Sequence, residues 1–192
     1  MKKRLFIALN FDAPTRLALA RWLYQLPIPP GLIKTKADNL HLTLLFLGDT
    51  DEELIPQLSA ELERVAQRFS PLIVSFDRLG GFPNLREPHT LWVGMAGANL
   101  SELQQEVATR IIPLAPEADC KPFRPHLTIA RLGNHPDQLP QGVASARLGE
   151  LTQTSLNLPP TQLNRLDLME STLQPGGSVY RAISSHRLEK SA

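Results

Sequence analysis

Residues 39–49, Asn-Leu-His-Leu-Thr-Leu-Leu-Phe-Leu-Gly-Asp, return in outline at 124–134 as Arg-Pro-His-Leu-Thr-Ile-Ala-Arg-Leu-Gly-Asn. Five of the eleven positions coincide (His, Leu, Thr, Leu and Gly) at an offset of 85 residues, where composition alone would give about one. Upstream, Leu5-Phe6-Ile7-Ala8-Leu9 matches the apolar order of Leu91-Trp92-Val93-Gly94-Met95 at an offset of 86. A motif that recurs together with its distance from an upstream strand predicts one unit used twice. The expectation is a single domain over 1–192, made of two interleaved lobes.

Each unit reads as strand, helix, Pro-rich loop and His-x-Thr strand. The strands fall at about 4–9 and 41–47 in the first unit, and at about 90–95 and 126–132 in the second. Asp12 and Pro14 announce a helix running to about Leu26, and a second helix begins near Asn99 with Leu100, Leu103, Val107 and Ile111 on one stripe. After the first motif, Thr50 and Glu53 suggest a capping box for a helix whose apolar face is Leu54, Leu58, Leu62, Val65 and Phe69. Residues 133–160 read mostly as loop. Further strands are expected at 72–79, 163–173 and 178–187, with Gly176-Gly177 as a hairpin turn. Gly80-Gly81 also read as a turn. The sum is an α+β fold: two pseudo-symmetric lobes, each a small, mostly antiparallel sheet with helices outside, and a cleft between them.

A chain of 192 residues with 42% hydrophobic and 20% charged composition can bury a core without disulfide or metal staples, and it is too apolar for a disordered chain. Its single cysteine, Cys120, closes no intrachain disulfide, which fits a reducing compartment. No apolar run approaches the 18 or so residues of a membrane span, so a cytoplasmic location is expected. Lys plus Arg is 20 against 19 for Asp plus Glu, a net charge of +1. That balance argues against coating nucleic acid by electrostatics, yet allows capture of one terminal phosphate. The seventeen prolines cluster at 27–30, 113–116, 122–125 and 159–160, between the expected elements.

In a strand, residues i and i+2 share a face. His41 and Thr43 therefore project together, as do His126 and Thr128, while Leu42, Leu44, Leu127 and Ile129 point toward a core. One such pair could be no more than the polar face of a half-buried strand. Two pairs at equivalent places suggest that they face each other across a shared cleft. An imidazole titrates near 6.5, so one ring can serve as base and the other as acid. Threonine hydroxyls can hold non-bridging oxygens where charge accumulates. This set suits in-line phosphoryl transfer. Lys34, Lys36, Lys121 and Arg124 precede the motifs and are either cationic support or loop solubility.

His41-Leu42-Thr43-Leu44 and His126-Leu127-Thr128-Ile129 resemble the paired His-x-Thr-x signatures of the 2H phosphoesterase superfamily. The context Asn39–Gly48, together with Arg4–Leu9, Pro125–Arg131 and Ser171–Tyr180, is similar to the bacterial and archaeal RNA 2′,3′-cyclic phosphodiesterases, formerly called 2′-5′ RNA ligases. The resemblance spans nearly the whole chain and is weakest over about 133–160. It implies hydrolysis of a ribose 2′,3′-cyclic phosphate at an RNA 3′ end to a 2′-phosphate, with His41 as proton donor and His126 as proton acceptor. The pseudo-symmetry leaves that order open on physical grounds. The resemblance also makes Arg131 a phosphate ligand, the alternative being a surface ion pair; strict alternation puts Arg131 opposite His126, so a bulge or strand end must turn it.

Phe46 and Tyr180 could stack on a base but read first as core, as do Trp22 and Trp92. No metal-ligand spacing or dinucleotide loop is present, so no metal or cofactor is expected. Cys120 reads as inert, and His89, His135 and His186 as surface residues. The expected partner is an RNA 3′ end or nucleotide bearing a 2′,3′-cyclic phosphate, with no obligate protein partner. The rival readings are 2′-5′ ligation of RNA or tRNA-half ends and non-catalytic capture of phosphorylated RNA ends.

Overall fold

A computed structural model describes residues 1–133, 151, 156, 158–174 and 177–190. His135, Gly176 and most of 133–160 lie outside them. The elements are β1 (Lys2–Asn10), α1 (Ala13–Gln25), β2 (Leu32–Lys34), β3 (His41–Asp51), α2 (Ile55–Ala66), β4 (Leu72–Phe82), β5 (Thr90–Ala96), α3 (Leu100–Ile111), β6 (His126–Leu132), β7 (Thr161–Leu163), β8 (Arg165–Gln174) and β9 (Gly177–Arg187). The strands run antiparallel in the order β7-β4-β5-β6-β3-β1-β8-β9, with β2 also on β6. The two expected sheets are wings of this array, joined between β3 and β6 at the pair Leu42↔Leu127. On either side of that seam each His-x-Thr strand has its own upstream strand as neighbour: β1 on β3 and β5 on β6.

Alternation sorts the side chains. Leu5, Ile7, Leu9, Leu42, Leu127 and Ile129 lie in the large core with the buried stripes of the helices, including Leu58 and Leu62 of α2 and Leu100, Leu103, Val107 and Ile111 of α3. The opposite face of β1 carries a second, small cluster of Phe6, Ala8 and Met169, with Tyr180 packed against it. One side of the sheet is thus sealed by helix, and the other is left for chemistry.

Three local expectations fail for identifiable reasons. Thr50 does not cap a helix, because β3 continues through Asp51 and a single 3₁₀ turn, Glu52–Leu54, intervenes before α2. Pairing of Thr50 with Lys3 on β1 outweighs the local capping signal, and its hydroxyl donates to the Gly48 carbonyl instead. Gly80 and Gly81 lie within β4, opposite Trp92 and Leu91. A Cβ at Gly80 would sit 2.1 Å from the Trp92 ring, so this glycine serves close packing and makes no turn. The run 163–173 divides at Asn164 into β7 on β4 and β8 on β1. The last two strands do pair as an antiparallel hairpin, but Gly177, opposite Gln174, is the first residue of β9, and Gly176 lies outside the described residues.

The upstream equivalence also shifts. Leu9 faces Leu42 and Val93 faces Leu127, an offset of 84 where sequence alignment indicates 86. Each strand pair carries its own bulges, so sequence offset and pairing offset need not agree.

Asp167 anchors β1 beside the seam. It is fully buried, accepts from the Asn10 amide at 2.6 Å and from the Ser185 hydroxyl, and pairs with Arg165 at 3.3 Å. Asn10 lies opposite His41 in the β1–β3 register. Asp167→Ala would leave the buried Asn10 amide with the weak Met169 Sδ acceptor at 3.3 Å and take the buried acceptor from Ser185. The expected loss is about 2–4 kcal/mol of unfolding free energy, measured by urea denaturation; an unchanged midpoint would contradict this role.

Candidate active site

The antiparallel pair Leu42↔Leu127 places His41 across from Thr128, and Thr43 across from His126, on one face of the sheet. The cleft expected between the lobes is therefore built by a register that interleaves the two motifs. Both histidines are held alike. Nδ1 of His41 lies 2.8 Å from the Asn39 carbonyl, and Nδ1 of His126 lies 2.6 Å from the Arg124 carbonyl. A carbonyl only accepts, so each Nδ1 carries the proton and, in the neutral ring, each Nε2 keeps the lone pair. In the neutral ring, Nε2 of His41 accepts from the Thr43 hydroxyl at 3.0 Å. Asn39 is itself pinned, its side-chain amide donating to the Ser178 carbonyl of β9 at 2.8 Å.

Aromatic rings wall both imidazoles. His41 packs against Phe6 at 5.0 Å and edge-on to Tyr180 at 5.1 Å. His126 packs edge-on to Phe82 at 5.2 Å and beside Trp92 at 5.9 Å. Tyr180 and Trp92 therefore belong to the site, where the sequence places them in the core. Phe46 is 49% exposed and borders the cleft on both sides, with Thr43 and His126 on one and His41 on the other. Trp22 does pack against the core. Phe6 and Phe82 escape notice in the sequence. The signal for the first was present, since Phe6 takes the alternate face from its core-facing neighbours Leu5 and Ile7.

The bulge that Arg131 requires is present. Leu91 pairs with Ala130 and Trp92 with Thr128, which leaves Ile129 as the extra residue. In β3 the matching residue is Leu44, between Thr43 opposite Ala8 and Leu45 opposite Ile7. Two buried residues then run in succession in both strands, 44–45 and 129–130, and Phe46 and Arg131 come round to the cleft side. Arg131 borders the same cleft as His41, a space of about 380 Å³.

The environment suppresses protonation of both rings. Burial is the main cause pushing His41 down to about 4; its bond to Asn39 opposes this, and the charges of Arg131 and His126 add to it. His126 is also lowered, by burial first and then by Arg131, against its bond to Arg124. One guanidinium thus acts on both histidines.

The other candidates divide. Lys121 and Arg124 border the His126 side of the cleft, Lys121 paired with Asp119 at 3.0 Å. Lys34 turns away, donating to the Tyr24 carbonyl at 2.7 Å. Lys36 is exposed and borders a separate cleft behind His41. His89 is exposed, as expected. His186 is half-buried, with Nε2 3.2 Å from both Ser59 and Ser184 hydroxyls. Cys120 is exposed, its thiol near the Ala118 carbonyl. Among the described residues no three His, Cys, Asp or Glu side chains gather as metal ligands, and no helix is long and apolar enough to cross a membrane.

Comparison with known proteins agrees with this geometry. Residues 33–173 match the model of the 2′-5′ RNA ligase superfamily. An Archaeoglobus fulgidus protein named RNA 2′,3′-cyclic phosphodiesterase is 30% identical over 182 residues, covering 93% of this chain and 96% of its own. A crystal structure from Thermus thermophilus superposes with a TM-score of 0.76 at 25% identity, covering 98% of this chain and all of its own. Escherichia coli LigT complexed with 3′-AMP shares the fold, with a TM-score of 0.68 at 24% identity over 99% of this chain and all of its own. Two interleaved His-x-Thr strands, seen together with these similarities, show that the chain belongs to the 2′-5′ RNA ligase superfamily of 2H phosphoesterases.

Proposed function

We propose that this protein is an RNA 2′,3′-cyclic phosphodiesterase, opening the cyclic phosphate at an RNA 3′ end to a 2′-phosphomonoester. The observation that carries the reading is the interleaved register, which sets two histidines, each with Nδ1 held by a backbone carbonyl, on one cleft face. The Archaeoglobus relative bears the name of this activity. A single-domain origin from one duplicated unit accounts for why both lobes supply the same pair of residues. The lone, exposed Cys120 fits a reducing cytoplasm.

The proposed mechanism is in-line displacement. His126 takes a proton from water as its oxygen bonds to phosphorus. The P–O3′ bond breaks on the opposite side, and His41 gives its proton to the departing 3′ oxygen. Thr43, Thr128 and Arg131 hold the non-bridging oxygens as their charge grows. Solvent then returns a proton to His41 and removes one from His126.

The depressed pKa values fit this division of labour. Of the two rings, His41 is the more enclosed, and a strongly depressed imidazolium is a strong acid. In the free protein at pH 7 His41 is neutral, and the bound phosphodiester anion is what restores its affinity for a proton. Since one ring must be charged and the other neutral, kcat/KM should peak in the acid range, below 6.5. Above the higher of the two pKa values it should fall tenfold per pH unit; below the lower it should fall again as the base is lost. The alkaline limb of kcat should lie at higher pH than that of kcat/KM, because the anion is then bound.

The deciding experiment is turnover of a nucleoside 2′,3′-cyclic phosphate with and without EDTA, with phosphorus NMR of the product. A 2′-phosphate, formed equally in EDTA and with this pH dependence, is expected. A 3′-phosphate product or metal dependence would refute the mechanism. Binding without turnover would favour capture of RNA ends.

A further inference from the structure

Behind His41, on the side away from His126, lies a second cleft of about 410 Å³ bordered by Arg16, Lys36, Asn39, Arg165, Ser178 and Tyr180. It shares Ser178 and Tyr180 with the cleft that holds His41 and Arg131. The two spaces are therefore neighbours across Ser178 and Tyr180 of β9, and Tyr180 stands edge-on to His41.

The charge of this second cleft is positive in the part a ligand could reach. Lys36 is exposed and, among the described residues, joins no ion pair. Among the described residues, the one ion contact of Arg16 is the loose one to Asp38, at 3.8 Å, and the Asp38 side chain is 90% exposed. Arg165 is half-exposed, while its partner Asp167 is wholly buried and also engaged by Asn10 and Ser185. Among the described residues, Asp38 is the one carboxylate bordering the space. Three cations, one of them shared with the buried Asp167, against one exposed carboxylate and beside an aromatic ring, suit a phosphodiester anion.

The chemistry of the proposed reaction says which phosphate. The acid protonates the 3′ oxygen, which stays on the RNA, so the reacting ribose lies against His41. Water enters from the His126 side. The rest of the strand leaves that ribose through its 5′ oxygen, away from the attacking water, and the next phosphate is one sugar's width further on. We propose that the Lys36–Arg16–Arg165 cleft binds the phosphate on the 5′ side of the reacting ribose, so that the preferred substrate is an RNA strand and not a free nucleoside cyclic phosphate. This rests on the cyclic phosphodiesterase reading and on His41 as the acid.

Two ratios test it. The first is kcat/KM for the dinucleotide uridylyl-(3′-5′)-uridine 2′,3′-cyclic phosphate over that for uridine 2′,3′-cyclic phosphate. The second is the affinity, by calorimetry, for uridine 2′,5′-bisphosphate over that for uridine 2′-phosphate, which needs no turnover. Wild type should favour the upstream phosphate in both by about tenfold, the worth of one charge-assisted contact. Lys36→Glu and Arg16→Glu should each bring both ratios toward one. Arg78→Glu, beside His126, should leave both ratios as they are. Wild-type ratios near one, or ratios indifferent to Lys36→Glu and Arg16→Glu, would overturn the proposal. So would a loss confined to Arg78→Glu, which would put the strand on the other side. If neither cyclic phosphate is hydrolysed but the affinity ratio behaves as expected, the upstream site stands and the cyclic phosphodiesterase reading fails.

Discussion

His41→Ala and His126→Ala are each expected to lower kcat by roughly 10²–10⁴, the usual worth of a positioned acid or base, with the fold intact. Both rings lie on the face away from the large core, against the aromatic walls of the cleft, and each makes its Nδ1 bond to a backbone carbonyl of its own strand entry, so neither is a keystone of packing. The two variants should differ in pH dependence. Removing the base should flatten the acid limb of kcat/KM, and removing the acid should flatten the alkaline limb. Combining them should cost little more than either alone, because the proposed mechanism has both act on one displacement. Circular dichroism and steady-state turnover of a nucleoside cyclic phosphate make the test. Near-normal turnover by either variant would remove the two-histidine mechanism, and exchanged limbs would reverse the order of acid and base.

Arg131→Ala comes next in size, at about 10²–10³ in kcat/KM, comparable to loss of an oxyanion donor. Arg131→Lys should recover part of this, keeping the charge but not the two-pronged geometry. A second readout separates this role from a surface ion pair. The Arg131 charge helps to lower both histidines, so its removal should move the alkaline limb of kcat/KM upward in pH. Asp119, which borders the same cleft, is already paired with Lys121. A surface ion pair would predict neither the loss nor the shifted limb, and either failure would count against phosphate binding at this position.

The two His-x-Thr pairs were legible because they depend on a local rule. Alternation in a strand decides that His41 and Thr43 share a face whatever the neighbouring strand does. The same rule makes Leu42, Leu127 and the α3 stripe readable as core, and it shows that Arg131 needs a bulge to share the face of His126. The helix start at Asp12 was likewise local, its carboxylate accepting from the Thr15 amide at 2.8 Å.

What remained hidden depends on partners distant in the chain. The bulges at Leu44 and Ile129 arise from pairing with β1 and β5, and they alone turn Phe46 and Arg131 into the cleft. The same pairing of β3 with β1 carried Thr50 into a strand against its capping signal. Tyr180 and Phe82 reach the histidines from β9 and β4, more than forty residues from the motif each one walls. The acidity of His41 is likewise a product of enclosure, since desolvation is a property of everything packed around a ring. The sequence alone determined which groups could do the chemistry and which side of their strands they occupy. Only the folded sheet decided which groups meet across the seam, what walls them, and how readily they hold a proton.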